Sequence, residues 1–512
     1  MFAIGCKPYQ LLDRAIQDWV RRAGGARGHN PRVTGMDATL SFAQANFGQV
    51  NLGDKRRTDR LVHSVEDMCR HPGGTLPDKL NQPADLRGFY RLMNQPEVTH
   101  KVLMDGHTGQ TRRLITALGG GTVLLLHDAT ELDYTSKKSL QGHLGQIGQG
   151  TRQGYICHNS LAVRADTGET LGLSSQILHH RAKVDKKETT PQKRQREDRE
   201  SRLWVEGAKS SGPAPADVQC VDVSDSLSDT FEYMAFEVTQ GRHFLLRARE
   251  DRHLAKPLSG PSRLFEAVRR VEGSGTHEVR VREAAPRKTG RRPRPGRQAR
   301  TTMAQVAFAP VRLARPCKRS GEYHCKSLDL WAVRVWEPVT PKGEDPLEWI
   351  LLTNCPVRTF KDALERINWY ELRWIIEEYH KGMKTGCSIE SLQFEKIERL
   401  EPAIALISAV ATTLLRLRDA ARAADAETRP ASEVVDPVYV EVLAAHYGKR
   451  LGSRPMVKAF YMHVARLGGH QNRKADGFPG WITLWRGWMK LQAMVDGYRA
   501  ARQKHSTTCG QT

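Results

Sequence analysis

The chain has 512 residues, enough for roughly two to four domains and a large buried core. Lys and Arg number 79 against 57 Asp and Glu, so the formal net charge is +22, and the excess runs through both halves. This charge predicts a polyanionic partner, and nucleic acid fits best. Nine scattered cysteines form no Cys-x2-Cys pair, which disfavours a structural zinc site and a secreted disulfide framework. We find no apolar run near 18 residues and no signal sequence, so we expect a cytoplasmic protein without a membrane partner.

The amino-terminal part is predicted to be a leader followed by helices. Residues 1–36 include a Gly- and Arg-rich run without apolar periodicity, which indicates a loosely ordered leader. Residues 37–118 have helical patterns, with Pro83 at a helix start. Four cations crowd the opening of one helix: Lys55, Arg56, Arg57 and Arg60. Such a helix start is either solvated or contacts phosphates and base edges.

The next segment has the patterns of buried strands. GTVLLL, residues 121–126, predicts a short buried strand that delivers His127 and Asp128 at its tip. Residues 160–178 alternate around a turn at 166–168 and predict a hairpin. Residues 218–223 predict another strand, which ends beside Asp225. Residues 242–250 predict one more.

The second half changes character twice. Residues 252–345 are β-rich around a strongly basic run, Arg287 to Arg300, and are predicted to be an insertion. Residues 347–357 restore the buried-strand pattern, and a long helix follows. Residues 401–424 predict an apolar core helix. Three tryptophans near the carboxyl terminus indicate packing either against another chain or within this one: Trp481, Trp485 and Trp488.

The segment YELRWIIEEYHKGMK carries the most informative pattern. On a helix of about 3.6 residues per turn, its offsets of 3, 4 and 7 place four residues on one stripe: Tyr370, Arg373, Glu377 and Lys384. A carboxylate framed by two cations and a phenol suits a site that holds a divalent metal and a phosphodiester. The alternative is an ordinary solvated face with helix-supporting ion pairs.

Three carboxylates are the candidate metal ligands. Asp128 and Asp225 are chosen because each lies nearest a predicted strand tip, and Glu377 because it lies on the stripe. Their competitors are Glu131, Asp133, Asp222 and Asp229, together with Glu378, which faces about 100° away from the stripe. Three acids are sufficient for a pair of Mg²⁺ ions, with Mn²⁺ as a plausible substitute. Such a site performs phosphodiester chemistry.

The motifs together resemble the cut-and-paste DDE transposases of the bacterial insertion-sequence-four group. The similarity runs from about Phe42 to Arg502 and rests on the signature Tyr-x2-Arg-x3-Glu-x6-Lys and on segments such as LGDKRRTDRL, RGFYRLMNQP, HDATELDY and DSLSDTFEY. In the family an Arg usually follows the second Asp, whereas Ser226 stands here. The resemblance implies an α/β fold: a ribonuclease H-like catalytic core with a β-rich insertion, flanked by helical amino-terminal and carboxy-terminal domains. The implied domains are an end-binding domain (37–118), a catalytic domain (119–400, interrupted by 252–345) and a dimerisation domain (401–512).

The resemblance also implies roles for individual residues. Asp128, Asp225 and Glu377 would be the metal-binding catalytic triad, and Tyr370, Arg373 and Lys384 would hold the DNA phosphates beside the cut. Trp349 would stack a base that is flipped out during hairpin formation. The implied partners are transposon-end DNA, target DNA and a second copy of the chain in a synaptic complex. Two other functions stay open: a ribonuclease H-like nuclease that only hydrolyses, and an inactive DNA-binding descendant of a transposase.

Overall fold

The computed structural model describes residues 42–181, 189, 192, 196–255, 260–281, 283, 285–286, 295–316, 325–473 and 478–508. The predicted leader 1–36 lies outside the described residues. So does most of the basic run between Arg287 and Arg300.

The amino-terminal part is helical, as the sequence predicts. Its helices are α1 (42–47), α2 (Lys55–Arg70), α3 (Leu76–Lys79), α4 (Pro83–Met93) and α5 (His100–Ala117). The side chain of Asp54 accepts a hydrogen bond from the main-chain N–H of Arg56 and so begins α2. Pro83 occupies the start of α4, where its missing N–H costs nothing. Helix α5 packs on β4 (Thr170–His179) and joins this part to the sheet.

The sheet has two halves: the first has both parallel and antiparallel strand pairs, and the second has antiparallel pairs. The first contains β1 (Thr122–Asp133), β2 (Gly145–Gln146), β3 (Gln153–Arg164), β4, β5 (Gln219–Ser224) and β6 (His243–Arg247). The second contains β7 (Gly275–Val281), β8 (Arg300–Ala314), β9 (Ser327–Trp336) and β10 (Glu348–Thr353). The strand order is β2-β3-β1-β5-β6-β10-β9-β8-β7, and β4 pairs with β3. The protein is therefore a mixed α/β structure with one large mixed sheet and helices at both ends.

Strands β1, β5 and β6 are parallel to one another, whereas β3 and β4 complete an antiparallel meander with β1. The predicted hairpin of residues 160–178 is confirmed, because β3 and β4 pair on either side of its turn. The crossover from β4 to β5 carries α6 (Leu203–Ser211), and the one from β5 to β6 carries α7 (Phe231–Thr239). Parallel strands need such crossovers.

The first strand is longer than predicted. The sequence indicates a strand at 121–126 with Asp128 at its tip, but β1 continues to Asp133. Its antiparallel ladder with β3 runs from Val123 to Asp133, so β3 keeps β1 extended after the apolar run has ended. Asp128 therefore lies within the strand.

The remaining helices lie before and after the second half of the sheet. They are α8 (Leu264–Arg269), which precedes the second half of the sheet, and then α9 (Phe360–Leu372), α10 (Trp374–Lys381), α11 (Ile397–Leu414), α12 (Arg416–Arg422), α13 (Pro437–Tyr447), α14 (Val457–Leu467) and α15 (Trp481–Thr508). The stretch Ile397–Arg422 is long and apolar enough to cross a membrane, although the sequence analysis identified no such run. In its most apolar part, 83% of the residues are buried inside the protein, so this stretch belongs to the core.

The three carboxy-terminal tryptophans pack within the chain. Trp481 is buried, and its indole N–H donates to the main-chain oxygen of Leu414 across 3.0 Å. Trp485 is buried and stacks on Trp481. Trp488 stacks on Tyr439 with 5.0 Å between the ring centroids. The sequence leaves open whether these tryptophans pack within the chain or against another chain, and in the structure all three contact residues of their own chain.

Candidate active site

The register of two neighbouring strands brings Asp128 and Asp225 together. The parallel ladder between β1 and β5 ends with His127 opposite Ser224, and each aspartate is the next residue. Asp225 then begins a short 3₁₀ turn, and its Oδ1 accepts from the N–H of Leu227 across 2.9 Å. Both carboxylates therefore lie where the parallel pairing stops, although only Asp225 follows the end of its strand.

The helix that carries the signature is interrupted. Helix α9 starts at a capping box formed by Thr359 and Asp362 and ends at Leu372, and Arg373 separates it from α10. After Lys381 the chain forms a π-helical turn, Gly382–Gly386. The stripe is thus not one uniform α-helix, which corrects the expectation from the spacing alone.

Two residues of the stripe are directly paired. Nη2 of Arg373 donates to Oε1 of Glu377 across 2.8 Å, one helical turn further on. Nη1 of Arg373 lies 3.9 Å from Oδ2 of Asp128. The guanidinium therefore lies between two of the three candidate carboxylates.

The electrostatics of Asp128 reflect this crowding. Burial raises the pKa of the Asp128 carboxyl to about 7. The positive charge of Arg373 opposes the rise, and the negative charges of Asp225 and Glu377 reinforce it. Three carboxylates within electrostatic reach of one another, with one arginine between them, form a site that a further cation would stabilise.

Lys384 pairs with a carboxylate that is not on the stripe. It lies in the π-helical turn, and its Nζ is 3.2 Å from Oε1 of Glu390. The same Oε1 accepts from the N–H of Asp133. Burial lowers the pKa of His380 to about 3, and the nearby charge of Lys384 contributes to the shift, so Lys384 remains beside the site.

The competing aspartates beside Asp225 are engaged elsewhere. Asp222 is buried and accepts from Nε2 of His127 at 2.6 Å and from Nη2 of Arg242 at 2.7 Å. Asp229 is buried and accepts from Arg252 and from two main-chain N–H groups. Their oxygens are occupied in stabilising the fold.

The competitors of Asp128 and Glu377 are engaged as well. Oε1 of Glu131 accepts from a main-chain N–H across 2.6 Å, and Asp133 pairs with Nε of Arg152 at 2.9 Å. Glu378 faces away from the site and pairs with the buried Arg418 at 3.2 Å. Glu378 is therefore occupied away from Asp128, whereas Glu377 pairs with Arg373 beside it.

Tyr370 and Trp349 are neighbouring aromatic side chains, and Tyr370 lies near Asp225. Trp349, on β10, is half-buried, and its ring centroid is 6.2 Å from that of Tyr370. Burial raises the pKa of Tyr370, while the neighbouring cations Arg373 and Arg247 oppose the rise. Arg247, the last residue of β6, was not singled out in the sequence. In the sequence, only its position as a cation at the end of a strand could have indicated it.

His380 and Asn159 are further polar neighbours that the sequence analysis missed. Nδ1 of His380 lies 3.9 Å from Oδ2 of Asp128, and its Nε2 lies 3.1 Å from the amide nitrogen of Asn159. Asn159 is the register partner of Asp128 on β3. His380 comes three residues after Glu377, an offset that places both on one helical face and could have identified it.

The residues fit a pair of hard divalent cations in type. The donors are carboxylate oxygens, and the burial of Asp128 beside two like charges favours a bound cation. The three side chains are not as tightly gathered as a preformed metal cluster. In the described part of the chain, His63, Asp67 and Asp85 form the group whose ligand atoms all lie within 4.8 Å. Arg60 and Arg70 already neutralise that second group.

The basic start of α2 divides into paired and unpaired cations. Nη1 of Arg57 donates to the main-chain oxygen of Leu52 at 3.0 Å and to Glu97 at 2.9 Å. Arg60 donates to Asp85 at 2.6 Å. Arg56 is exposed, and the described residues offer its guanidinium no ion pair.

One comparison with known proteins identifies this region. Residues 40–98 match the family model of the transposase DNA-binding domain. The match supports a transposase that binds DNA.

The matched segment contains helices α1 to α4 and stops just before α5. It includes the basic start of α2, with the exposed Arg56 and the ion-paired Arg57 and Arg60. The carboxylates Asp128, Asp225 and Glu377 lie beyond it. Their role therefore depends on the geometry described above.

Proposed function

We propose that the protein is a cut-and-paste DDE transposase of the insertion-sequence-four type, and that Asp128, Asp225 and Glu377 are its catalytic carboxylates. The observation that carries the proposal is the arrangement of Asp128, Asp225 and Glu377 around Arg373. The matched DNA-binding segment supplies the substrate class. Together they favour DNA strand cleavage and transfer.

A ribonuclease H-like core is part of the proposal. Support comes from the strand arrangement: β1, β3 and β4 form an antiparallel meander, and β5 and β6 follow as parallel neighbours of β1. The two aspartates lie at equivalent levels of β1 and β5, and the glutamate comes from a later helix. Strands β7 to β9 precede that helix and would be the β-rich insertion.

The carboxylates would hold two Mg²⁺ ions, which supply activation of the attacking water or 3′-hydroxyl and stabilise the leaving oxygen. Arg373 bonds Glu377 in the free protein and would exchange this partner for a DNA phosphate. Lys384 and Tyr370 would hold the neighbouring phosphates. Trp349, beside Tyr370, would stack a displaced base while the second strand is attacked to give a hairpin.

The dimeric synapse is proposed for the carboxy-terminal helices. Trp481 and Trp485 are buried in this chain, and Trp488 stacks on Tyr439, so a dimer would have to use other residues of this region. Two bound ends held by two copies would then be joined to target DNA.

The test begins with the DNA that flanks the gene. Inverted repeats in that DNA define an end-bearing duplex, which is incubated with the protein and Mg²⁺ or with EDTA. The proposal expects a nick at the repeat boundary and then a hairpin, both dependent on Mg²⁺. A nick without a hairpin would support the nuclease that only hydrolyses. Binding without any cleavage would support the inactive descendant.

A further inference from the structure

A chain of buried polar side chains runs from helix α5 to Asp128. Nε2 of His100 lies 3.0 Å from Oε1 of Gln176, and Nε2 of Gln176 donates to Oδ1 of Asn159 across 2.8 Å. The amide nitrogen of Asn159 lies 3.1 Å from Nε2 of His380. Nδ1 of His380 then faces Oδ2 of Asp128 at 3.9 Å. Gln176, Asn159 and His380 are all buried.

The direction of these contacts is fixed by the two amides. Asn159 accepts from Gln176 through its oxygen, so its NH2 group donates to His380. Nε2 of His380 is therefore an acceptor, and the ring proton of the neutral imidazole is on Nδ1. Nδ1 is the ring nitrogen that neighbours the carboxylate of Asp128. The separation of 3.9 Å exceeds a hydrogen bond, so the contact is electrostatic.

The two oxygens of Asp128 have different surroundings. Oδ1 accepts from the N–H of Ala129 across 2.9 Å. Oδ2 is 3.9 Å from both Nη1 of Arg373 and Nδ1 of His380. His380 therefore neighbours Oδ2, the same oxygen that Arg373 faces. It lies on α10, the helix that also carries Glu377.

We propose that His380 is a positioning residue for Asp128, and that Asn159 and Gln176 set its tautomer so that an N–H always faces the carboxylate. This inference rests on the proposed function, because it assumes that Asp128 binds a divalent cation. Partners of this kind orient a metal ligand, and their loss typically weakens metal affinity roughly ten- to a hundredfold. The neutral N–H would attract the carboxylate oxygen electrostatically without adding a charge that would repel a cation.

The test compares variants that keep different halves of the imidazole. In His380→Asn the amide nitrogen replaces Nδ1 and can still face Asp128, whereas in His380→Gln the amide reaches only the Nε2 position and Asn159. Mn²⁺ binding to the full-length protein, measured by electron paramagnetic resonance without DNA, is the first readout. We expect His380→Gln to raise the Mn²⁺ dissociation constant roughly ten- to a hundredfold and His380→Asn to raise it only about threefold.

A third variant tests the other end of the chain. Asn159→Leu removes the amide that fixes the tautomer, and we expect it to weaken Mn²⁺ binding roughly tenfold. On end-bearing DNA, His380→Gln and Asn159→Leu should lower kcat for nicking and leave the KM for DNA within about twofold. His107→Gln is the matched control, since His107 is also buried but bonds Asn46 and β4 instead.

The outcomes separate the two proposals. If His380→Gln binds Mn²⁺ as the wild type does and loses only thermal stability, as His107→Gln does, His380 is a packing residue and the positioning proposal is overturned. If the Asn and Gln variants are equally impaired, the donor on Nδ1 is not what matters, and the proposal is also overturned. If wild type and Asp128→Asn bind Mn²⁺ equally weakly, the metal site itself is absent and the proposed function fails.

Discussion

Arg373 donates to Glu377 across 2.8 Å, so the arginine expected to hold a phosphate is paired with a carboxylate expected to hold a metal. The same guanidinium faces Asp128. In the free protein it stabilises carboxylates that would otherwise repel one another. A divalent cation would take over this neutralisation and release Arg373 to bind DNA. Under the proposed function, pairing within the site and phosphate binding would be successive roles of one side chain.

Replacement of Arg373 by Ala should have opposite effects on metal and DNA. Arg373 repels a bound cation, and like charges about 4 Å apart repel each other appreciably even near a protein surface. Without the positive charge of Arg373, Mn²⁺ binding at pH 8 should therefore tighten roughly tenfold. Nicking of end-bearing DNA should fall, because a phosphate contact is lost. Titration with Mn²⁺ and a gel assay of nicking measure the two effects. Weaker metal binding together with slower nicking would show that Arg373 only supports the local structure.

The exposed Arg56 should contribute to DNA binding without contributing to stability. Arg56→Ala should weaken specific end binding by roughly 1 to 3 kcal/mol and reduce the salt slope by about one. Arg57→Ala should weaken binding and also lower the melting temperature, because Arg57 holds Leu52 and Glu97. Glu97→Gln is the matched control for the structural part. If Arg56→Ala leaves affinity and salt slope unchanged, the helix start is only a solvated face.

Trp349 should act after the first nick. Trp349→Ala should nick at the normal rate and accumulate nicked product, while hairpin yield falls about ten- to a hundredfold for a stacking loss of roughly 1 to 3 kcal/mol. Trp349→Phe keeps an aromatic platform and should retain most of the hairpin. Denaturing gels of end-labelled DNA separate the products. A joint fall of nick and hairpin with a lower melting temperature would place Trp349 among the core residues.

His107 should make the fold sensitive to acid. Burial lowers the pKa of His107 to about 4 from its ordinary 6.5. The unfolded chain therefore binds this proton more tightly, so the free energy of unfolding is highest above pH 6.5 and decreases as the pH falls toward 4. The loss due to this residue is roughly 3 kcal/mol, at about 1.4 kcal/mol per pKa unit.

Denaturant unfolding between pH 7 and pH 4 measures this effect. Burial also lowers the pKa values of His100, His158 and His380, which add losses of the same sign. His107→Gln should be less stable at pH 7 but should have a shallower dependence on pH, by about one proton. An identical slope in the variant would mean that His107 does not titrate in this window.

The sequence predicts the contacts of the candidate site that depend on local periodicity. Arg373 and Glu377 are four residues apart, and on one helical turn this spacing brings them into contact. The orientation of Glu378 away from the site follows from the same periodicity. Asp225 directly follows the apolar strand Gln219–Ser224, and the end of the apolar run predicts the end of the strand. The helices of the amino-terminal part are visible from their apolar pattern and from Pro83.

The rest depends on residues that are distant in the chain. Strand β1 continues past Asp128 because β3 pairs with it, and no local pattern indicates that ladder. Lys384 pairs with Glu390 after a π-helical turn, which the count of α-helical offsets cannot anticipate. Arg57 finds its partner Glu97 40 positions further along. His380 and Asn159 are 221 positions apart and meet because α10 packs on β1, the strand that pairs with β3.

The most direct test of the central claim is the cleavage of an end-bearing duplex by Glu377→Gln. Gln keeps the size of the side chain and an oxygen that accepts from Arg373, but it removes one charge that binds metal. Glu395→Gln, an exposed change in the segment after the site, is the matched control. The account predicts that Glu377→Gln binds the duplex within a few-fold of wild type and does not nick it, whereas Glu395→Gln binds and nicks normally. Nicking by Glu377→Gln near the wild-type rate would contradict the assignment of Asp128, Asp225 and Glu377 as the catalytic carboxylates.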